Sequence, residues 1–260
     1  MGVALRAARI GAALFRIVVA LIALLLLVLV GLRIAAGLRE GAVAAPAGTV
    51  RFATPTGAVA ARVAGPADGA PLVIVHGTAA WSGFWKDVAA HLAGKGWRVV
   101  AIDLPPFGWS DRDARGRYDR IAQAQRLASV LTALGRPAVV VGHSFGAGPA
   151  TELALRHPQE VRALVLVDGA LGELDPKGRG AAARVLDVRP AAELVTSAAV
   201  TNPAALRPLL RSMIARKDKA DAWLPVLREP MGREGATSAY AAWLPNLFVK
   251  DDGALSRRSA

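Results

Sequence analysis

The residues with the clearest chemical potential are residues 142–146, whose sequence is GHSFG. They follow the apolar run 137–141, a predicted strand, and precede residues 147–156, a predicted helix. A tight strand-to-helix turn strains the backbone of its central residue and admits only neighbours that lack bulky side chains, so the hydroxyl of Ser144 would stand exposed. The first amides of the following helix can face an oxyanion. The pattern predicts a nucleophilic serine, and the alternative is a chance Gly/Ser turn.

Two further polar motifs also follow predicted strands. His76-Gly77-Thr78 comes after the apolar run 71–75, and residues 103–110, DLPPFGWS, come after the run 97–102. Open α/β sheets bind their ligands beyond the carboxyl ends of their strands, where successive motifs meet. We therefore expect these two loops to lie beside the turn at Ser144.

The elements that would position these motifs alternate along the chain. We predict strands at 49–53, 58–64, 71–75, 97–102, 137–141 and 161–167, and helices at 84–92, 118–134 and 147–156. Continuous apolar strands separated by such helices indicate a parallel sheet with helices on both faces, an α/β fold. The first two strands, separated by a Pro-Thr-Gly turn, predict an opening hairpin.

Beyond residue 170 the sequence has no strand-like run. Residues 181–200, 203–217 and 221–247 have helical character, and we expect prolines to break these helices at Pro190, Pro203, Pro208, Pro225, Pro230 and Pro245. Large side chains in this part either line a pocket or pack against the sheet: Met213, Trp223, Met231, Tyr240, Trp243 and Phe248.

With the H-G loop, the D-x-P-x-x-G-x-S loop and G-H-S-x-G in this order, the chain resembles the α/β-hydrolase family, in its group with a helical cap, from about residue 49 to 250. The resemblance implies that Ser144 is the nucleophile and that the backbone N–H groups of Phe145 and Thr78 bind the oxyanion. It implies no cofactor. His76 is expected to order its loop, and Asp103 and Ser110 to brace theirs.

The positions of the histidines do not fit this resemblance. The family places its acid and then its histidine after the serine, and only His157 follows Ser144 in this sequence. His157 lies at the far end of the helix that starts at the turn, about 20 Å away at 1.5 Å per residue, so it cannot be the base. Asp168 follows a strand and is the candidate acid. The resemblance therefore implies that the last strands of the fold, with the usual acid and the histidine, are missing from this sequence.

An apolar segment precedes the predicted fold. Residues 17–32 carry no charge, with three arginines before them and two, Arg33 and Arg39, just after. An uncleaved membrane anchor, a signal peptide cleaved after the Ala-Val-Ala of residues 42–44, and a core helix are the alternatives. The run lacks the polar face of a core helix and exceeds the usual signal core, so we favour a single-pass anchor. The arginine distribution favours an extracytoplasmic domain.

These patterns divide the chain into an N-terminal anchor (1–38), a linker (39–48), an incomplete α/β-hydrolase core (49–169), a helical cap (170–250) and a tail (251–260). The net charge of +12 comes with no basic run interleaved with aromatics, so we predict no nucleic-acid partner. Absence of cysteine excludes disulfides and thiolate metal sites. We predict a membrane-anchored serine hydrolase acting on an ester, amide or related acyl bond of a small molecule. The alternative is an inactive ligand-binding protein at a membrane, and the oligomeric state is left open.

Overall fold

Six strands form one mostly parallel sheet in the computed structural model of the protein, which describes residues 2–171 and 184–248. The strands are β1 Thr49–Phe52, β2 Val59–Ala64, β3 Ala70–Val75, β4 Trp97–Ile102, β5 Ala138–His143 and β6 Val161–Val167. Their order in the sheet is β1-β2-β4-β3-β5-β6, with β1 and β2 antiparallel to their neighbours and the other pairs parallel. The predicted hairpin and parallel sheet are confirmed.

Helices cover both faces of this sheet: α2 Lys86–Ala93 lies on one, and α3 Arg120–Leu134 and α4 Ala147–Arg156 lie on the other. Successive residues of a strand point to opposite faces. Val73 and Val75 of β3 accordingly pack with the α3 and α4 side, whereas Leu72 and Ile74 pack with Ala89 of α2. Because the central strands β3 and β4 are apolar and buried on both faces, their carboxyl ends remain as the place for polar chemistry.

The part of the chain after residue 183 is helical, as predicted. Its helices are α5 Arg189–Val195, which continues as a π-helical turn over Thr196–Val200, then α6 Pro203–Met213, α7 Ala220–Arg228 and α8 Ala236–Trp243. The predicted helical residues 181–183 lie outside the described residues. We call the described helices α5 to α8 the cap.

Two of the expected helix breaks are wrong. Pro208 lies inside α6 and Pro225 inside α7, and both helices continue past them. Each proline removes one backbone hydrogen bond, which costs about 3 kcal/mol in a helix interior. Both helices bury leucines on the side that packs inward, including Leu210 in α6 and Leu227 in α7, and this burial offsets the loss.

The N-terminal segment forms α1, Gly2–Arg39, a single long helix. Its stretch Arg9–Arg39 is long and apolar enough to cross a membrane, a test that a signal sequence also meets. Within the most apolar window of that stretch, none of the residues is buried, so α1 is not a core helix. Helix α1 packs against the cap, and Ala36 near its C-terminal end is buried there.

Candidate active site

The turn at Ser144 is as tight as its sequence predicts. Ser144 has a φ of 50°, in the left-handed region that non-glycine residues enter at a cost of about 1–3 kcal/mol. A side chain at Gly142 would place its Cβ 2.8 Å from the Cα of Ala147, and one at Gly146 would place its Cβ 2.4 Å from the carbonyl oxygen of His76. Both glycines are required by these close approaches. The serine is thus held between β5 and the helical segment that leads into α4.

The loop after β3 closes over the same serine. A Cβ at Gly77 would lie 2.7 Å from the Cβ of Ser144 and 3.1 Å from its Oγ. Thr78 follows directly and lines the cavity in front of Ser144. The H-G motif therefore brings a backbone segment against the serine at a distance that only glycine allows.

His76 orders this loop, as predicted. Its Nδ1 donates to the carbonyl of Gly77 at 2.8 Å, and its Nε2 accepts from the N–H of Leu104 at 2.8 Å. These two bonds define a neutral ring protonated at Nδ1. Burial lowers the pKa of His76 to about 4, against the smaller opposing effect of its hydrogen bond to Gly77. His76 joins two loops and has no free nitrogen for proton transfer.

The loop after β4 is braced by its own polar residues, again as predicted. The carboxylate of Asp103 accepts from the N–H groups of Ser82 at 2.7 Å and Trp109 at 2.8 Å. The hydroxyl of Ser110 accepts from the N–H of Ala60 at 2.8 Å and donates to the carbonyl of Asp103. Burial raises the pKa of Asp103 despite its two N–H donors. The side chains of Asp103 and Ser110 therefore stabilise the conformation of this loop.

The loop after β6 brings Asp168 to the same cavity. Asp168 has a φ of 45°, and two residues later the N–H of Ala170 donates to the carbonyl of Ser144 at 3.1 Å. Arg120 of α3 donates to the carbonyl of Ala170 at 3.1 Å, a positioning contact that sequence reasoning missed. Burial lowers the pKa of His143, and the nearby charge of Asp168 partly opposes this effect.

A cavity of about 670 Å³ lies between the carboxyl ends of the strands and the cap. It brings together Thr78, Ser144 and Asp168 of the predicted site residues. The side chain of Phe145 is buried beneath them, packed edge-on against Trp243 at 5.0 Å between ring centroids. The opposite wall is apolar and consists mainly of cap residues: Val200, Leu206, Leu209, Leu210, Met213, Ile214 and Leu227.

Of the large cap side chains singled out in the sequence, Met213 alone lines this cavity. Trp243 and Tyr240 pack in the core against Phe107, with centroid distances of 4.9 and 4.8 Å. The missed lining residues are leucines of α6. Together with Met213, the leucines at 206, 209 and 210 follow the i, i+3, i+4, i+7 pattern of an apolar helix face, which was the available signal.

Four histidines occur in the sequence, and the structure describes all of them. Only His143 lines the cavity, and it packs edge-on against Trp85 at 5.5 Å. None of the four forms a hydrogen bond to Ser144 Oγ in the described part of the chain. His157 faces a different surface, near α3. The site therefore contains a serine with a strained backbone, and no described imidazole is hydrogen-bonded to its hydroxyl.

Comparison with known proteins agrees with this fold. The chain is 43% identical over 107 residues to 2-hydroxymuconate semialdehyde hydrolase of Pseudomonas sp. strain CF600, covering 39% of this chain and 37% of that protein. It is 32% identical over 156 residues to haloalkane dehalogenase of Mycobacterium marinum, covering 55% of this chain and 51% of that protein. The chain thus matches between about a third and a half of the length of these relatives.

Solved structures show the same architecture. The 2-hydroxy-6-oxo-6-phenylhexa-2,4-dienoate hydrolase of Rhodococcus sp. strain RHA1 superposes with a TM-score of 0.60 at 19% identity, covering 76% of this chain and 70% of that one. A probable hydrolytic enzyme of Pseudomonas aeruginosa PAO1 superposes with a TM-score of 0.61 at 24% identity, covering 82% and 70%. The sequence model of the alpha/beta hydrolase fold matches residues 70–224, which include the sheet from β3 onward, the turn at Ser144 and the first cap helices. The chain belongs to the α/β-hydrolase family.

Proposed function

We propose that this protein is a membrane-anchored serine hydrolase that cleaves an ester, amide or related acyl bond of a small molecule. Ser144 is the nucleophile, the N–H groups of Phe145 and Thr78 bind the oxyanion, and Asp168 is the acid of the site. Helix α1 is the anchor, and the domain is extracytoplasmic. The hydrolase relatives support the reaction class, and the exposed apolar surface of α1 supports the anchor.

One observation carries the proposal: a serine at φ 50°, in a turn where no larger neighbour fits, borders a 670 Å³ cavity. Attack of Ser144 Oγ on an acyl carbon forms the C–O bond of an acyl-enzyme and releases the alcohol or amine. Negative charge develops on the acyl oxygen in the transition state, and hydrogen bonds from the two proposed N–H donors would stabilise it. Each such donor contributes about 3–4 kcal/mol to the transition state.

The serine also needs a base to accept its proton, and no histidine of this sequence is bonded to it. We therefore expect the 260-residue chain to hydrolyse a short p-nitrophenyl ester at close to the background rate. Added imidazole should enter the open cavity and raise the rate. The test compares the wild type with Ser144→Ala, and with Ser129→Ala on α3 as a matched control, over a series of imidazole concentrations.

The expected result is an imidazole-dependent rate, above that of imidazole alone, in the wild type and in Ser129→Ala but not in Ser144→Ala. Equal rates in Ser144→Ala and wild type would refute the assignment of the nucleophile. Rapid turnover without imidazole would show instead that a base is already in place.

A second function is an inactive protein that holds an acyl ligand at the membrane. The apolar cap wall and the missing hydrogen bond at Ser144 Oγ favour it. Under this alternative, a fluorescent fatty acid binds equally to wild type and Ser144→Ala, and imidazole produces no Ser144-dependent hydrolysis. The same two variants therefore decide between the functions.

A further inference from the structure

The end of α1 is bonded to the cap at the point where its apolar run stops. Residues 17–32 carry no charge, and Arg33 is the next residue. Its Nε lies 2.9 Å from Glu193 Oε2 of α5, and its Nη2 donates to the hydroxyl of Ser238 of α8 at 3.1 Å. Ser238 donates in turn to the other oxygen of Glu193 at 3.0 Å. One arginine thus joins α1 to two cap helices.

A second connection follows about two turns later, just after the end of α1. The carboxylate of Glu40 accepts from the N–H groups of Gly235 at 2.9 Å and Thr237 at 2.7 Å, at the N-terminus of α8, where a negative charge is favoured. The N–H of Gly41 donates to the carbonyl of Gly232 at 2.8 Å, and Glu234 donates back to Gly41 at 2.8 Å. The start of the predicted 39–48 linker is therefore attached to the cap.

These connections reach the wall of the cavity. Arg39 of α1 donates to the carbonyl of Thr201 at 3.4 Å, directly after the π-helical turn Thr196–Val200. Val200 of that turn lines the cavity, and α1 packs along the same turn. The helix that would enter the bilayer and the cavity wall are thus in direct contact.

Helix α6, at the outer edge of the cavity, has one apolar side and one basic side. Leu209 and Met213 line the cavity yet are 42% and 61% exposed. Arg211 lies on the other side of α6, where it borders a shallow surface depression together with Arg207 and Lys217, and Arg211 and Lys217 are exposed. A helix with an apolar face on one side and a basic face on the other is typical of helices that lie at the surface of an anionic bilayer.

We propose that α6 docks on the anionic bilayer that contains α1, with Leu209 and Met213 at the headgroup boundary, and that the cavity takes an acyl ester with a long apolar chain directly from this bilayer. The geometry supports this because the hydrocarbon span of α1 ends at Arg33, and the connections to the cap begin there. A headgroup layer is only about 5–8 Å deep on each side, so a cap bonded to Arg33 lies within it or directly above it. The proposal rests on the proposed function for the insertion of α1 and for hydrolysis at Ser144.

The test of docking uses the full chain and does not need activity. Because the sequence has no cysteine, Met213→Cys gives a single site for an environment-sensitive nitrobenzoxadiazole label. Lys95→Cys is the matched control, since it is exposed and precedes β4 at the amino end of the sheet, opposite the cavity. Both proteins are reconstituted in vesicles of phosphatidylcholine and phosphatidylglycerol, with and without a spin-labelled quencher lipid.

We expect quenching at position 213 to be at least threefold stronger than at position 95, and to weaken in vesicles of phosphatidylcholine alone. Arg33→Gln should reduce the quenching at position 213 at least twofold, whereas Arg16→Gln, on the free part of α1, should not. Equal quenching at 213 and 95 overturns the docking. A chain that does not float with the vesicles overturns both the docking and the anchor.

The substrate class is tested separately with imidazole present. A p-nitrophenyl ester of a long-chain acid in the vesicles should be cleaved at least tenfold faster than in detergent micelles, while a short soluble ester is cleaved equally in both. If the short ester is cleaved but the long-chain ester is cleaved no faster in vesicles than in micelles, the proposal that substrate comes from the bilayer is overturned, and the proposed hydrolase is not. Loss of all Ser144-dependent cleavage refutes the proposed hydrolase, and the quenching result then still decides the docking.

Discussion

The glycine after the serine turn offers the sharpest test of the site. In Gly146→Ala, the new Cβ would lie 2.4 Å from the carbonyl oxygen of His76 and 2.7 Å from that of Val75. Ordinary contact begins near 3.4 Å, so the two backbones must separate by about 1 Å. One backbone carries Phe145 and the other leads into Thr78. The methyl group therefore pushes apart the two segments that carry the proposed oxyanion donors.

The magnitude has two parts. Overpacking of this kind costs about 1–3 kcal/mol of folding free energy. A domain of this size loses about 2–4 °C in Tm per kcal/mol, so we expect a decrease of roughly 2–12 °C. Displacing one donor from the oxyanion by about 1 Å should lower the Ser144-dependent rate about 100-fold or more, because donor geometry at an oxyanion is strict.

The assay measures thermal unfolding by circular dichroism and the imidazole-supported cleavage of a short ester on the same preparation. Gly94→Ala is the control, since Gly94 ends α2 with a negative φ and its Cβ would meet nothing nearer than 3.4 Å. It should leave Tm and rate almost unchanged. Gly146→Ala with a Tm within about 1 °C of wild type and a rate within twofold would refute the steric reasoning.

Three further predictions follow from described contacts. Burial lowers the pKa of His76 to about 4, so between pH 6.5 and 4 the unfolded chain binds more protons than the folded one, and stability should fall by up to about 3 kcal/mol as the pH drops through this range. His76→Asn should be less stable at pH 7 but flatter in a Tm-against-pH series, and an equally steep loss in the variant would contradict this. Asp168→Asn removes a charge that raises the pKa of His143, so that pKa should decrease further in an NMR titration; an unchanged value would show that the two groups are uncoupled. Strand β6 is outermost among the described strands and Leu166 on it is exposed, so we expect copies of the chain to associate along this edge and to scatter light on concentration. Leu166→Lys should reduce the scattering, whereas Val88→Lys on α2 should not, and equal effects would disprove association at this edge.

The sheet could be predicted from the sequence because its strands are continuous apolar runs bounded by polar or glycine turns. The predicted 97–102 and 161–167 coincide with β4 and β6, and 137–141 differs from β5 only at its ends. Gly135 ends α3 with a φ of 69°, the left-handed conformation that favours glycine at a helix end. Local sequence patterns are sufficient to predict a strand when both of its faces are buried, because nearly every residue of such a strand is apolar.

The cap and its contacts could not be predicted in the same way. Arg33 and Glu193 are 160 residues apart, and their bond depends on how two helices cross, which no local pattern encodes. The sequence leaves open whether the aromatic side chains of α8 line a pocket or pack in the core, and their contacts with Phe107 place Tyr240 and Trp243 in the core. The roles of Ser144 and Asp168 remain predictions that the variants above test.

The position of the serine strand in the sheet has a dynamic consequence. Among the described strands, β6 is the outermost on its side, and β5 pairs with it along its whole length. Edge strands open locally at lower free energy than interior ones, so amides of β6 should exchange with deuterium well before those of β3. Asp168 follows β6 directly, whereas Ser144 follows β5, one strand further in. We therefore expect the Asp168 side of the cavity to adjust to ligands of different width more readily than the Ser144 side.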